Sequence, residues 1–253
     1  MIIQENTLVK IEETDITDGV LTIPEGIVVV GRRACCGYQA QIKKIVFPSS
    51  LKTIKQFAFM RVAIEELAIP ETVTEIESEA FMQCPNLRRV VWPSSVPYME
   101  NYMFLECENL LEIVLPEGMK MIEYCSFSYC KNLVKVYLPD SMEWLGFGAF
   151  SGCERLEFVY LSTEIRGFYT DTFAGCKKLS FLQYGRNDYS IKIKTAEREF
   201  VFLESPVLQK GDFLGYDMQG YYFLQYRDII SCGKNIDFAG RQLDRLSRMK
   251  ERT

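Results

Sequence analysis

Residues 116–138 read PEGMKMIEYCSFSYCKNLVKVYL, and residues 139–161 read PDSMEWLGFGAFSGCERLEFVYL. The two segments share the pattern Pro-x-x-Met-x-x-[Ile/Leu]-x-x-x-[Ser/Ala]-Phe-x-x-Cys-x-x-Leu-x-x-Val-x-Leu. Variants of this pattern return about every 23 residues from Pro48 to Gly185. A period of that length is typical of a solenoid, in which each repeat forms one coil and buries its apolar side against the next.

Each repeat predicts one short strand followed by a turn. Val90 and Trp92 are two residues apart, which is the spacing of side chains on one face of a strand. Pro93 should end that strand, because proline has no N–H to donate to a ladder. The strands of successive coils would stack in parallel around an interior filled by a recurring phenylalanine, which is Phe59, Phe81, Phe104, Phe127, Phe150 and Phe173.

The repeat predicts a mainly-β solenoid in three parts. Residues 1–23 are interpreted as an N-terminal cap, residues 24–185 as a right-handed coil of about seven turns, and residues 186–253 as a C-terminal capping or accessory β unit. Turn-forming pairs such as Ser205-Pro206 predict that this last unit is antiparallel, and an apolar stripe from Asp237 onward predicts a terminal helix. Caps are expected because an open stack exposes a cross-section of its core.

The pattern resembles the BspA-type leucine-rich repeat. That consensus, Leu-Pro-x-x-Val-x-x-Ile-x-x-x-Ala-Phe-x-x-Cys-x-x-Leu-x-x-[Ile/Val]-x-Leu, is matched nearly in full from Ile69 to Leu161. Members of the family are bacterial surface proteins and proteins of some parasitic protists. The resemblance implies a protein-binding solenoid with no catalytic residues, and it does not extend to the residues after Gly185.

Charge and hydropathy argue against two classes of partner. The chain of 253 residues has a net charge of −5, and no basic stripe runs along the repeats, so we expect no nucleic-acid binding. No apolar run approaches the roughly 18 residues of a membrane span, so we expect no membrane insertion. Met1 to Asn6 lack the basic start and apolar stretch of a signal peptide. The sequence shown therefore predicts a cytoplasmic protein, or a secreted or cell-surface protein if a leader was removed.

Five cysteines occupy one repeating position, namely Cys84, Cys107, Cys130, Cys153 and Cys176. Stacked copies of one position lie about 4.8 Å apart, but parallel side chains oppose the roughly 90° twist of a disulfide. We therefore predict a buried ladder of structural thiols, which suits a reducing compartment. The other cysteines, Cys35, Cys36, Cys125 and Cys232, form no Cys-x-x-Cys pair, and structural roles are predicted for them too.

The sequence predicts no enzyme, no cofactor and no metal site. It contains no histidine, which removes Ser-His-Asp and Cys-His catalysis and the commonest zinc ligand. No Walker loop and no Gly-x-Gly-x-x-Gly motif follows a strand. Glu75, Glu77 and Glu79, like the pair Glu65 and Glu66, are interpreted as carboxylates of a solvated face.

Side chains between the core positions of each strand should face outward and form columns along the solenoid. Toward the C-terminal half these columns become aromatic, and exposed aromatic patches are enriched at binding sites. We therefore predict a non-catalytic scaffold that binds a protein partner, whose identity the sequence does not give. The predicted partner-binding residues are Val114, Tyr137, Phe158, Tyr160 and Phe181.

Three alternatives stay open at this point. The aromatic columns could be cross-strand ladders, or the C-terminal unit could cover them. That unit could instead be a ligand- or carbohydrate-binding module, in which carboxylates such as Glu199, Glu204 or Asp212 converge. The solenoid could also be a structural, self-associating element whose aromatic patch forms a weak homodimer.

Overall fold

Every repeat follows the same path in the computed structural model, which describes residues 1–162, 164–165, 167–179, 181–184, 189–194, 199–201, 215–216 and 221–223. A front strand leads through a proline turn into a side strand, and a third side, the turn side, carries the recurring phenylalanine and cysteine. The only helices in the described part are short 3-10 turns at Glu13–Asp15, Gln39–Gln41 and Thr170–Phe173. The predicted mainly-β solenoid is confirmed.

The front strands form because each repeat places one apolar residue between two outward ones. In Arg89–Val91, Val90 is fully buried and Arg89 is exposed. Pairing in this sheet is parallel and in register, so that Arg89 lies between Glu66 and Glu112. Among the described residues no ladder joins Lys44–Val46 to Glu66–Ala68 or Glu112–Val114 to Lys135–Tyr137, so the front strands lie in three successive sheets. Their shared outer side is called the front sheet. In chain order the front strands are β4 (Val20–Thr22), β6 (Lys44–Val46), β8 (Glu66–Ala68), β10 (Arg89–Val91), β12 (Glu112–Val114), β14 (Lys135–Tyr137), β16 (Phe158–Leu161) and β18 (Phe181–Tyr184).

The side strands hold the second inward residue of each coil, for example Ile54, Ile76 and Ile122, which are all buried. They are also parallel, with Ile54 opposite Ile76 in the ladder. In chain order they are β5 (Val29–Val30), β7 (Thr53–Ile54), β9 (Glu75–Ile76), β11 (Tyr98–Met99), β13 (Met121–Ile122), β15 (Trp144–Leu145) and β17 (Gly167–Tyr169).

Antiparallel strands close the N-terminal end. β1 (Ile2–Gln4) pairs with β2 (Thr7–Lys10), and β2 pairs with β5 as the first side strand. β3 (Ile16–Thr17) pairs antiparallel with β4. The outer edges of both stacks are thereby taken up by hairpins, as a cap requires.

Antiparallel strands also follow the last coils. β19 (Tyr189–Lys194) pairs with β18, and β20 (Glu199–Val201) pairs with β19. β22 (Tyr221–Phe223) pairs with β17, and β21 (Gly215–Tyr216) pairs with β22. The chain after the repeats thus continues both stacks of strands, as expected for a β-rich C-terminal unit. The helix predicted from Asp237 lies outside the described residues, and the domain boundaries stay a prediction.

The phenylalanines form one continuous stack through the interior. Neighbouring rings from Phe59 to Phe173 have centroids 5.2–5.9 Å apart and planes within 15° of each other. The first five of these rings are fully buried and Phe173 is 6% exposed. Trp92 packs edge-on against Phe104 at 6.0 Å and donates its indole N–H to the Val96 carbonyl at 2.9 Å.

The turn side places two residues per coil in the left-handed backbone region, two positions before and two positions after the phenylalanine. Around Phe81 these are Glu79 and Gln83, with φ of 63° and 58°. This conformation costs a non-glycine residue about 1–2 kcal/mol. It allows adjacent coils to bond here as well, since the Glu79 amide donates to the Asn101 carbonyl at 3.0 Å and the Gln83 amide to the Leu105 carbonyl at 2.8 Å.

Candidate binding surface

The outward side chains of the front sheet form two columns. The neutral column consists of Val46, Ala68, Val91, Val114, Tyr137 and Tyr160, and the charge column consists of Lys44, Glu66, Arg89, Glu112, Lys135 and Phe158. They stand out from the sheet because the strand alternates between its two faces and the intervening residue is buried.

The structure brings the predicted aromatic residues together at the C-terminal end of these columns. Strand pairing places Tyr137 beside Tyr160 and Lys135 beside Phe158. The rings of Tyr137 and Phe158 have centroids 5.4 Å apart at 47°. Tyr137 is 60% exposed and Val114 is 38% exposed, whereas Phe158 and Tyr160 are half-buried. Phe181 follows Phe158 in the backbone register, and its side chain lies outside the described part.

A hydrogen bond fixes one of these aromatic side chains. The Tyr160 hydroxyl donates to Oδ1 of Asp140 at 3.0 Å. Asp140 lies in the turn that follows β14, so the bond joins adjacent coils. Tyr160 is thereby held in place on the sheet, while Tyr137 is the most exposed aromatic side chain of the described surface.

The charge column is mostly solvated. Arg89 Nε lies 3.2 Å from Glu112 Oε2, with side chains 48% and 58% exposed. Among the described residues, this is the one ion pair between members of the column. Exposed pairs of this kind contribute little to folding, so the column is available for other contacts.

Carboxylates of the proline turns serve the backbone. Glu71 Oε2 accepts hydrogen bonds from the Ser94 amide at 2.9 Å and from its hydroxyl at 2.6 Å. Glu25 likewise accepts hydrogen bonds from the amide and the hydroxyl of Ser49. The bond from the Ser49 amide is the main reason that the pKa of Glu25 is lowered. These glutamates join successive coils and do not converge on a site.

The acidic group on the side sheet is organised by a lysine. Lys55 Nζ lies 2.7 Å from Glu77 Oε1 and 3.5 Å from Glu75 Oε1. Burial raises the pKa of Glu77, but hydrogen bonds from Lys55 and from the Gln56 amide outweigh it and leave that pKa lowered. In the part of the chain that the structure describes, no three His, Cys, Asp or Glu side chains are grouped to hold a metal ion.

The five repeating cysteines are buried next to the phenylalanine stack. Each sulfur lies within hydrogen-bond distance of the carbonyl of the preceding coil's phenylalanine, from 3.4 Å for Cys84 on Phe59 to 3.1 Å for Cys176 on Phe150. As thiols they donate S–H to a carbonyl that faces no water. Burial raises the pKa of the Cys84, Cys130 and Cys153 thiols well above the ordinary value.

Sequence reasoning missed a second aromatic patch, on the turn side. Tyr102, Tyr124, Tyr129 and Phe147 are 38%, 43%, 50% and 40% exposed. They lie next to or at the left-handed positions, where most counterparts in the earlier coils are polar, such as Gln56 and Glu79, and one, Phe57, is aromatic. Aligning the repeats at these turn positions, and not only along the strands, would have revealed it.

The predicted carboxylate module cannot be placed on this surface. Glu204 and Asp212 lie outside the described residues, and Glu199 is described only as part of the backbone of β20. Among described residues, no helix combines the length and apolar character needed to cross a bilayer.

The similarity to known proteins lies in the repeat region. The family model described as BspA type leucine rich repeat region matches residues 30–133 and 99–198, with 6 copies. No curated protein is similar enough to this chain to count as a relative.

Similar solved structures are bacterial leucine-rich repeat proteins. One from Eubacterium ventriosum has a TM-score of 0.63 and 24% identity, and the match covers 68% of this chain and 46% of that protein. One from Bacteroides ovatus has a TM-score of 0.51 and 30% identity, covering 65% and 48%. A leucine-rich cell surface protein from Faecalibacterium prausnitzii has a TM-score of 0.44 and 20% identity, covering 67% and 60%. The chain thus spans 46–60% of the length of these proteins.

Proposed function

Because the chain belongs to the BspA-type leucine-rich repeat family, we propose that it is a protein-interaction scaffold that binds its partner with the outer face of the front sheet. The observation that carries this proposal is Tyr137, a tyrosine that is 60% exposed on a strand and packs against Phe158 with ring centroids 5.4 Å apart and planes tilted by 47°. Tyrosine is enriched among the residues that dominate binding energy.

The surroundings of Tyr137 support the same reading. Val114 precedes it in the neutral column and is 38% exposed, and the half-buried Tyr160 follows it, tied to Asp140. A rigid aromatic anchor beside an aliphatic residue loses little conformational entropy on binding. Exposed charges flank this strip, which is the usual arrangement of an apolar interface core within a polar rim.

Site-specific photo-crosslinking tests the proposal. A benzophenone amino acid replaces Tyr137 in one variant and Tyr129 in another, and each is irradiated in extract of the source cells. Both tyrosines are exposed, by 60% and 50%, but they lie on different sides of the solenoid. We expect discrete protein adducts from position 137 and none from position 129. Adducts from position 129 alone, or from neither position, would reject the front sheet as the binding surface.

We also propose that the cysteine ladder is kept as free thiols, as in a reducing compartment. Support comes from the five buried sulfurs that each face a backbone carbonyl. Titration with a thiol reagent checks this: all nine cysteines should react after denaturation in the absence of reductant. A smaller number would indicate disulfides and an oxidising compartment.

A further inference from the structure

The charge column has a symmetry along the solenoid axis. Its sign alternates from strand to strand, with Lys44 in β6, Glu66 in β8, Arg89 in β10, Glu112 in β12 and Lys135 in β14. Turning the column end over end about a point midway between β10 and β12 brings Lys135 to the place of Glu66. The same rotation brings Glu112 to the place of Arg89. The column is therefore complementary in charge to its own reversed copy.

The neutral column is complementary in size about the same point. Its N-terminal half carries the small side chain of Ala68, and its C-terminal half carries the bulky side chain of Tyr137. The rotation brings Tyr137 to the place of Ala68 and Tyr160 to the place of Val46. Tyr137 is 60% exposed and protrudes, while Ala68 leaves a shallow gap in the column. The charges of one column and the side-chain sizes of the other are thus complementary about the same twofold rotation.

We propose that the front sheet binds the front sheet of a second copy of this chain, face to face, around a twofold axis parallel to the strands. The proposal rests on the proposed function, since it names the partner of the same face. With this axis each column faces itself in reverse, so Glu66 meets Lys135 of the second copy. Tyr137 fills the space above Ala68 of the second copy. Such an isologous contact is the commonest form of protein self-association.

The charges exclude a register that is shifted by one coil. Sliding one copy by a single coil would place Lys44 opposite Lys135 and Glu66 opposite Glu112. Like charges facing each other across an interface suppress a wrong arrangement. The register centred between β10 and β12 avoids every such contact. A shift of two coils avoids them too, but it moves Tyr137 away from Ala68, so charge and size together select one register. In that register Lys44 lies against the ring of Phe158, an arrangement that allows cation–π attraction.

Alternating charge also relieves repulsion between neighbouring strands of a single sheet. That explanation covers the charge column, but it gives no reason for small residues at one end of the neutral column and large ones at the other. Within one copy, moreover, Arg89 and Glu112 are the one pair of this column at ion-pair distance among described residues. Self-association accounts for both columns.

The size of the face sets the expected strength. From β6 to β16 the sheet extends about 24 Å along the axis and about 10 Å across. A stable complex buries about 800 Å² per partner, so this contact belongs to the weak, reversible class. Because much of its specificity is electrostatic, we expect it to weaken as salt is added.

A charge swap across the twofold axis tests the proposal. Sedimentation velocity is measured up to about 1 mM for the wild type, E66K, K135E and the double variant. We expect a concentration-dependent dimer for the wild type and at least about fivefold weaker association for each single variant, because each contact occurs twice. The double variant should return to within about threefold of the wild type.

Rescue can only act between copies. Glu66 and Lys135 lie three coils apart in one chain, about 14 Å, which is too far for an ion pair. Glu66 has Arg89 as its neighbour in the same sheet, so E66K should slightly lower the Tm, and K135E should not restore it. Recovery of the dimer without recovery of the Tm would separate the contact between copies from the contact between neighbouring strands of one chain.

A second pair of variants tests the size match. Ala68→Phe should weaken the dimer by filling the space that Tyr137 occupies, and adding Tyr137→Ala should restore it. A wild type that stays monomeric up to about 1 mM, or a dimer that neither double variant rescues, overturns the inference. If position 137 still crosslinks to a foreign protein, the proposed function survives that failure. If position 137 gives no adduct of any mass, both proposals fail.

Discussion

The interior of the solenoid repeats its residues from coil to coil, whereas the front face changes them. From Phe59 to Phe173 every coil contributes the same ring to one stack. Over three coils of the neutral column, by contrast, Ala68 gives way to Tyr137 at the same outward position of the strand. Each inner side chain packs against the equivalent side chain of the neighbouring coil, and that contact favours the same residue in every coil. The outer side chains meet solvent, and their variation is where recognition is encoded.

Truncating the middle of the stack should have the largest effect. Phe104 is fully buried between Phe81 at 5.9 Å and Phe127 at 5.5 Å. We expect Phe104→Ala to lower the free energy of unfolding by about 3–5 kcal/mol, because a ring-sized cavity opens in a close-packed core. Urea unfolding followed by circular dichroism measures this loss.

The matched outer variant is Tyr137→Ala. That ring is 60% exposed, and among the described residues its one ring contact is a tilted one with Phe158, so we expect a loss of no more than about 1 kcal/mol. Comparable losses for the two variants would contradict the contrast between interior and face.

Glycines of the sixth coil show how closely the coils approach. A Cβ on Gly146 would lie 2.6 Å from the carbonyl carbon of Glu123 and 2.8 Å from the amide nitrogen of Tyr124, while a Cβ on Gly152 would lie 2.6 Å from a ring carbon of Tyr129. We expect Gly146→Ala to cost about 2–3 kcal/mol, since backbone must shift. Gly152→Ala should cost about 1 kcal/mol, since an exposed ring can move aside and only the left-handed backbone strain remains. Equal thermal shifts would show that the coils are not packed this tightly.

These glycines also mark the limit of what the sequence could predict. The period, the Phe stack and the position of Cys130 follow from spacing, because strand alternation and repeat stacking dictate them. The left-handed turns do not follow, since residues as different as Glu79 and Tyr129 occupy them. The backbone conformation there accompanies hydrogen bonds between adjacent coils, which no local sequence pattern reports.

For the same reason, the sequence predicted the candidate face only in part. Alternation along the strand identifies Tyr137 as an outward residue, but it does not predict that Tyr137 is far more exposed than Tyr160. Tyr160 lies on a strand paired on both sides and donates a hydrogen bond to Asp140, whereas the strand of Tyr137 begins a sheet, and strand alternation reports neither feature. The turn-side residue Tyr102 lies off the strands, so strand alternation carried no information about it.

Removing one thiol from the ladder tests the hydrogen bond of the interior. Cys130 Sγ lies 3.3 Å from the Phe104 carbonyl and is fully buried. We expect Cys130→Ala to cost about 1–2 kcal/mol at neutral pH, because the Phe104 carbonyl keeps only the Cys107 amide as a donor and a small cavity forms. The exposed Cys36 supplies the control, and Cys36→Ala should leave the urea midpoint unchanged.

The same variant has a pH dependence of known sign. Burial raises the pKa of the Cys130 thiol above the ordinary value of 9.0, so the native state keeps its proton while the unfolded chain loses it. The thiol's contribution is therefore complete below pH 9 and falls above it by about 1.4 kcal/mol per pH unit. The cost of Cys130→Ala should shrink toward zero near pH 10. A cost that does not change with pH would contradict a buried, neutral thiol.

The smallest effect should come from the backbone of the turn side. Tyr102 has φ of 56° and is 38% exposed. We expect Tyr102→Gly to be more stable than Tyr102→Ala by about 1 kcal/mol, because glycine adopts the left-handed region without strain. At Ser151, which lies on the same side outside the left-handed set, the order should reverse, and alanine should be more stable than glycine by about 0.5–1 kcal/mol. Opposite signs at the two positions would show that the outer turns, although free in sequence, are constrained in conformation by the coils they join. The same sign at both would place the constraint in the side chains instead.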